Sequence, residues 1–223
     1  MSDTHAPTRL KIDFVSDVSC PWCAIGLHAL EQAADRVKDQ VQIDLHFQPF
    51  ELNSDMPPEG EDVMEHLQRK YGAPAEQMRK NQQAITERGA GLGFTFNMDQ
   101  RSRIYNTFDA HRLLHWMEEE GTGEQQRALK HALFSAYFTH GQNPGDHAVL
   151  LRIVRELGLD EVRAKAILES DEFAQEVRER EAFYHQHGIH SVPAVIVNDR
   201  HLIQGGQPVE VFEEALRKLA DQA

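Results

Sequence analysis

The chain has 223 residues, 40% hydrophobic and 26% charged, which suits one large domain or one domain carrying a substantial insertion and excludes disordered or fibrous architectures. Thirty-six acidic against 23 basic residues leave a formal charge of −13, which repels phosphate backbones, so no nucleic-acid partner is expected. No apolar run approaches the roughly 18 residues of a membrane span, so no membrane partner is expected either.

Met1–Arg9 is polar and lacks the apolar segment of a secretory signal, which makes the cytoplasm the expected location. Leu10–Val15 alternates apolar and charged side chains and reads as a strand. After Ser16–Ser19 a helix begins. Pro21 suits its first turn, where a missing N–H costs nothing, and Ile25, Leu30, Ala34 and Val37 fall near one stripe. Cys20 is thereby placed at the helix N-cap. Val41, Ile43, Leu45 and Phe47 alternate with polar residues as a second strand, so a parallel strand–helix–strand crossover is expected.

From about Pro57 to His187 the pattern is helical, with Gly72, Gly89, Gly121, Gly141, Gly158 and Gly188 expected to close helices in the left-handed conformation. No strand pair is expected inside this block, although Phe94, Phe96 and Met98 alternate briefly as an extended connection. One helix carries Val149, Leu150, Ile153, Val154 and Leu157 on a face, and Phe173, Val177 and Tyr184 mark a later one. Strands return at Ala194–Val197 and His201–Gln204, joined by Asn198 and Asp199, before a last helix with Val211, Phe212, Ala215, Leu216 and Leu219. Gly205 and Gly206 lack the context of a phosphate loop and read as a turn.

The chain contains two cysteines, Cys20 and Cys23, separated by Pro21 and Trp22. In a reducing compartment such a pair is catalytic or metal-binding before it is a structural staple. As a dithiol, one thiolate attacks a disulfide and the other, one helical turn away, resolves the mixed disulfide. The helix terminus favours an anion on Cys20 by about 0.3–2 kcal/mol. Zinc would require two histidines beside the cysteines; His111 and His115 have i, i+4 spacing but no HExxH context, so no metal is expected.

With the central block removed, the order β-α-β … β-β-α is a thioredoxin-like arrangement whose first helix opens on the cysteine pair. The chain resembles the DsbA-like thioredoxin superfamily, and more closely its cytoplasmic FrnE-like branch. The resemblance rests on Ser16-Asp17-Val18-Ser19-Cys20-Pro21-Trp22-Cys23, Pro49-Phe50-Glu51-Leu52-Asn53, Asn106-Thr107 with Ala110-His111-Arg112, Val192-Pro193 and Gly205-Gly206-Gln207.

It implies an α/β, thioredoxin-like fold formed by residues 1–56 and 188–223, interrupted by a large all-helical insertion domain, 57–187. It implies a thiol–disulfide oxidoreductase, Cys20 attacking, Cys23 resolving, and Pro193 as the cis proline beside them. Val192 would offer backbone groups to an extended substrate. Pro21 and Trp22 would also meet the substrate. His190 departs from the family, in which this position is often small; with His185 and His187 it reads either as a solvated helix end and loop or as a group that approaches Cys20 and tunes its pKa. Asn106 and His111 either cap a helix and fill the core or form a helical face over the site. Expected partners are a disulfide-containing protein or small molecule and a glutathione or thioredoxin-type reductant. No bound cofactor is expected, with glutathione in the role of co-substrate. The alternative is a glutathione-dependent isomerase or transferase resembling 2-hydroxychromene-2-carboxylate isomerases and kappa-class glutathione transferases, which usually carry serine at the place of Cys20.

Overall fold

In a computed structural model describing residues 6–72 and 74–222, strand β1 (Thr8–Ser16) lies inside a four-stranded sheet of order β2-β1-β5-β6. Helix α1 (Pro21–Arg36) carries the chain to β2 (Val41–Pro49), which pairs parallel to β1 from Thr8↔Val41 to Ser16↔Pro49. β5 (Ala194–Val197) pairs antiparallel with β1, and β6 (His201–Gln204) antiparallel with β5. Asn198 and Asp199 make the turn between them at φ 51° and 56°, the left-handed geometry that matches a two-residue hairpin to strand twist. The turn is tied to the sheet by Lys11 N–H, which donates to Asn198 Oδ1 at 3.0 Å.

The alternation read in β1 fails at Asp13, which is buried like its apolar neighbours Ile12 and Phe14. A central strand is covered on both faces, so its polar positions are sheltered too. Gln48 Nε2 donates to Asp13 at 2.9 Å, which satisfies the buried carboxylate.

Between β2 and β5 the helices are α2 (Val63–Tyr71), α3 (Ala75–Gly91), α4 (Phe108–Glu120), α5 (Gly123–Phe134), α6 (His147–Glu156), α7 (Glu161–Leu168) and α8 (Ala174–Gln186), with a π-helical turn at Ser135–Thr139. Local chemistry starts several of them. Asp62 accepts from Met64 N and Glu65 N, and Thr122 and Gln125 form a reciprocal capping box. The block also contains a two-residue strand pair, β3 (Glu61–Asp62) with β4 (Arg103–Ile104), contrary to expectation. Elements this short leave no periodic trace.

Two of the six glycines behave differently from expectation. Gly89 lies inside α3, where a side chain would collide with the Phe96 ring, and Gly121 caps α4 at φ −105° rather than in the left-handed region. Gly72, Gly141, Gly158 and Gly188 do have positive φ.

The final helix, α9 (Val209–Ala220), packs on α1 through its buried Phe212 and Leu216, while Val211 is 42% exposed instead of joining that face. One continuous apolar core joins Phe14, Cys20, Cys23, Ile25 and Phe212 to Phe96, Phe134, Tyr137 and Phe138, so the middle of the chain packs against the sheet–helix unit. A second cluster is built by α4–α7, centred on Leu113, Leu133, Leu150 and Ile167. No described helix is long and apolar enough to cross a membrane.

Candidate active site

The segment Ser16–Ser19 turns β1 into α1 around one buried side chain. Asp17 accepts from Ser19 N (3.2 Å), Ser19 Oγ (3.0 Å), Leu52 N (2.8 Å) and Thr107 Oγ1 (2.8 Å), and His111 Nε2 faces it at 3.5 Å. Burial works against ionisation of Asp17, but the facing imidazole and the N–H donors of Leu52 and Ser19 outweigh it and hold the carboxyl at about 2. This anchored carboxylate sets the direction in which the chain enters α1.

Cys20 is the N-cap of α1, at φ −91° and ψ 113°, and makes no side-chain cap hydrogen bond; Pro21 follows at the first helical position. Its sulfur therefore stays at the end of the helix. Cys23 sits one turn inside, and both cysteines are free thiols. Cys20 is 4% exposed and Cys23 fully buried. Burial, followed by the proximity of Cys20, pushes the Cys23 thiol well up from its ordinary value.

Cys20 Sγ donates to the carbonyl of Val192 at 3.7 Å. The Val192–Pro193 peptide is cis. Gly205 N donates to Pro193 O at 2.8 Å, which fastens this loop to the turn after β6.

Cys20 opens into a cleft of about 920 Å³. That volume lies within the roughly 300–1,000 Å³ usual for small-molecule sites. Pro21, Trp22, His190 and Val192 border it on the dithiol side, and α2 and α3 supply the opposite wall through residues such as Lys70 and Tyr71. Trp22 is 39% exposed and its ring carries the Arg88 guanidinium at 5.4 Å; Arg88 in turn donates to Gly206 O at 2.8 Å. His190 faces His185 with ring centres 5.8 Å apart.

Asn106 and His111 do not line this cleft. Asn106 Oδ1 accepts from Phe108 N at 2.9 Å, a turn at the start of α4, and His111 lies buried behind the Ser16–Ser19 loop against Asp17. Asn106 stands one residue before Thr107, the N-cap of α4, so it closes a turn ahead of the helix rather than capping it, and His111 is a core residue. Among the described residues no group of three or more His, Cys, Asp or Glu side chains is arranged to hold a metal ion.

Two charged residues near the site carried no functional reading in the sequence. Glu51 borders the cleft, paired with Arg178 and close to Glu181 of α8; burial and then the Glu181 charge raise it to about 7. Lys130, on α5, is completely buried.

Residues 11–217 match the family model of the DSBA-like thioredoxin domain. The chain belongs to this family. Among its relatives is YwbO of Bacillus subtilis (strain 168), an uncharacterised protein 30% identical over 210 residues, covering 93% of this chain and 96% of YwbO. The probable DsbA oxidoreductase SCO1869 of Streptomyces coelicolor superposes with a TM-score of 0.84 at 28% identity, covering 96% of this chain and 91% of that one. The cytosolic disulfide reductase DsbM of Pseudomonas aeruginosa, solved with GSH, has the same fold at 17% identity, with a TM-score of 0.63 and coverage of 95% and 99%. In this DSBA-like chain Cys20 at the start of α1 and Val192 of the cis-peptide loop touch each other and border the same cleft.

Proposed function

We propose that the protein is a thiol–disulfide oxidoreductase in which Cys20 attacks and Cys23 resolves. The observation that carries this reading is the placement of Cys20, with its sulfur at the N-terminus of α1 beside a large cleft and a second free thiol one turn inside the same helix. The free N–H groups of the first turn favour a thiolate there.

The Cys20 thiolate attacks one sulfur of a substrate disulfide, whose S–S bond breaks and releases one thiolate while the other half stays bound to Cys20. Cys23 loses its proton and attacks Cys20 Sγ. A Cys20–Cys23 disulfide forms, the second substrate thiolate leaves, and two electrons have passed to the substrate. A reductant resets the dithiol; in the opposite direction the same steps form a disulfide. Pro21, Trp22 and His190 flank the incoming sulfur, Pro193 supports the loop, and Val192 lies where an extended substrate would run.

The wall contributed by α2 and α3 encloses the attacking sulfur, which favours small or extended disulfides over those buried in folded proteins. Residues 57–187 are then an insertion that shapes the cleft of a thioredoxin-like domain made from 1–56 and 188–223. Glutathione, which DsbM was solved with, is our choice of co-substrate, with a thioredoxin-type protein as the other candidate reductant. We place the reaction in the cytoplasm, in keeping with DsbM, a cytosolic enzyme.

A single-nucleophile isomerase has no use for Cys23, and the retained dithiol argues against that chemistry. Insulin reduction measured beside glutathione conjugation tests the choice. We expect insulin disulfides to be reduced by the parent, not by Cys20→Ser, and no conjugation by either; conjugation without reduction would reject the reading.

A further inference from the structure

We propose that Arg101 is the anchor for a substrate carboxylate, and that the cleft beside Cys20 takes small thiols and disulfides that carry one. The inference deepens the oxidoreductase reading by naming the substrate class, and takes from it only the role of Cys20.

Arg101 follows α3 in the chain and borders the same cleft as Cys20. It is only 7% exposed. Its Nε donates to the Tyr137 hydroxyl at 2.9 Å, and its guanidinium lies against the Tyr137 and Phe138 rings, 5.1 and 5.4 Å from their centroids. The two terminal nitrogens donate no hydrogen bond to any described residue, and no described carboxylate pairs with the guanidinium. Unlike Lys130 Nζ, they are not sealed from solvent.

Arg112 shows how this fold treats a structural arginine. It is buried as well, and its guanidinium is occupied by Asp109 at 2.9 Å and by the carbonyl oxygens of Ile167, Ser170 and Glu172. Arg101 is desolvated without that compensation, which costs stability unless an anion completes the site. A planar fork with free N–H groups matches the two oxygens of a carboxylate.

The side chain is also held in place before a ligand arrives. The Tyr137 hydroxyl accepts from Arg101 and donates to Arg103 O at 3.0 Å, so it is committed in both roles. Tyr137 belongs to the π-helical turn Ser135–Thr139, a local irregularity frequent at functional sites. Asn97 ties the segment before Arg101 to this turn, its N–H donating to Phe138 O at 2.9 Å and its Nδ2 to Thr139 O at 2.7 Å.

The charge of the cleft agrees. The chain carries −13, yet the described residues that line the cleft include Arg101, Lys70 and three histidines against one carboxylate, Glu51, which Arg178 already pairs. Lys70 Nζ is taken by Leu52 O at 2.9 Å and Asn53 Oδ1 at 2.8 Å, which leaves the Arg101 fork for the ligand. An acidic protein that gathers cations in one cleft favours an anion there against its own net field.

The test is calorimetric titration of the whole protein with S-methylglutathione, whose thioether cannot exchange, and with its dimethyl ester. At neutral pH the acid is a net anion and the diester a net cation, so the overall field of a −13 chain favours the diester. We expect the parent instead to bind the acid about tenfold more tightly, the equivalent of about 1.4 kcal/mol. Arg101→Gln should bring the acid down to the level of the diester and leave the diester where it was. A parent that binds the diester as tightly as the acid, or binds neither, overturns the proposal, and so does a folded Arg101→Gln that keeps the parental ratio. If Arg101→Gln does not fold, Arg101→Lys keeps the charge, loses the fork and should weaken binding of the acid alone; an unmoved affinity there overturns the proposal too. Insulin reduction measured alongside separates the two claims, since its absence in a parent that selects the acid refutes the oxidoreductase reading and leaves the carboxylate anchor standing.

Discussion

Gly26 of α1 lies directly against Pro193: a methyl group at Gly26 would stand 3.0 Å from Pro193 Cγ and 3.3 Å from Gly206 Cα. The absence of a side chain here lets the loop carrying Val192 close on the helix that carries Cys20. Gly26→Ala should gain about 1 kcal/mol of helix propensity. Overpacking against a ring and a backbone atom costs about 1–3 kcal/mol, so the overpacking wins. We expect a lower urea midpoint and slower insulin reduction, because the Pro193 loop must move away from Cys20. A variant more stable than the parent with unchanged turnover would show that this contact does not position the loop.

Trp22 separates the cysteines and contributes no charge of its own. The nearest fixed charge on its ring is Arg88 at 5.4 Å. A histidine in its place would, when protonated, favour the thiolate and so the reduced dithiol, which raises the reduction potential. The parent should accordingly be less oxidising than DsbA, whose potential is about −120 mV, and lie toward thioredoxin at about −270 mV. Trp22→His should move it upward, by about 30 mV for each 1.4 kcal/mol of added stabilisation. Equilibration with glutathione buffers measures this, and an unchanged or lower value contradicts it.

Glu51 sets a pH dependence of stability. Burial, then Glu181, holds it near 7 in the folded protein against 4.5 ordinarily. Between those values the folded chain keeps a proton that the unfolded chain has released. Stability then falls as pH rises from about 4.5 to about 7 and levels off above. Glu51→Gln removes this contribution. Urea titrations at several pH values should give a shallower decline for the variant; parallel curves would place the proton elsewhere.

Much of the architecture is written in short-range patterns. Pro21 at the start of α1, the Asn198–Asp199 turn and the cysteine spacing are local chemistry, and each appears in the fold where that chemistry puts it; the β1 strand forms too, although its alternation breaks at the buried Asp13. What escaped depends on contacts far along the chain. The β3–β4 pair brings together segments about forty residues apart with two residues each, and Gly89 is needed for the ring of Phe96 rather than for a helix end. Asn106 and His111 share a segment with the family pattern, yet α4 turns them away from the cleft toward its own start and toward Asp17. Lys130 reads as a solvated lysine by residue type. The structure buries it with Gln126, Leu129, Leu133 and Phe134 in α5.

Trapping of a substrate half on the protein tests the central claim most directly. Cys23→Ser, incubated with oxidised glutathione and analysed by intact mass and peptide mapping, should carry one glutathione in disulfide linkage to Cys20. The parent treated alike should resolve that adduct to the Cys20–Cys23 disulfide. Cys20→Ser should remain unmodified, because Cys23 is buried and its thiol is pushed up by that burial. An adduct on Cys23 in Cys20→Ser, with none on Cys20 in Cys23→Ser, would reverse the roles of the two thiols and contradict the account.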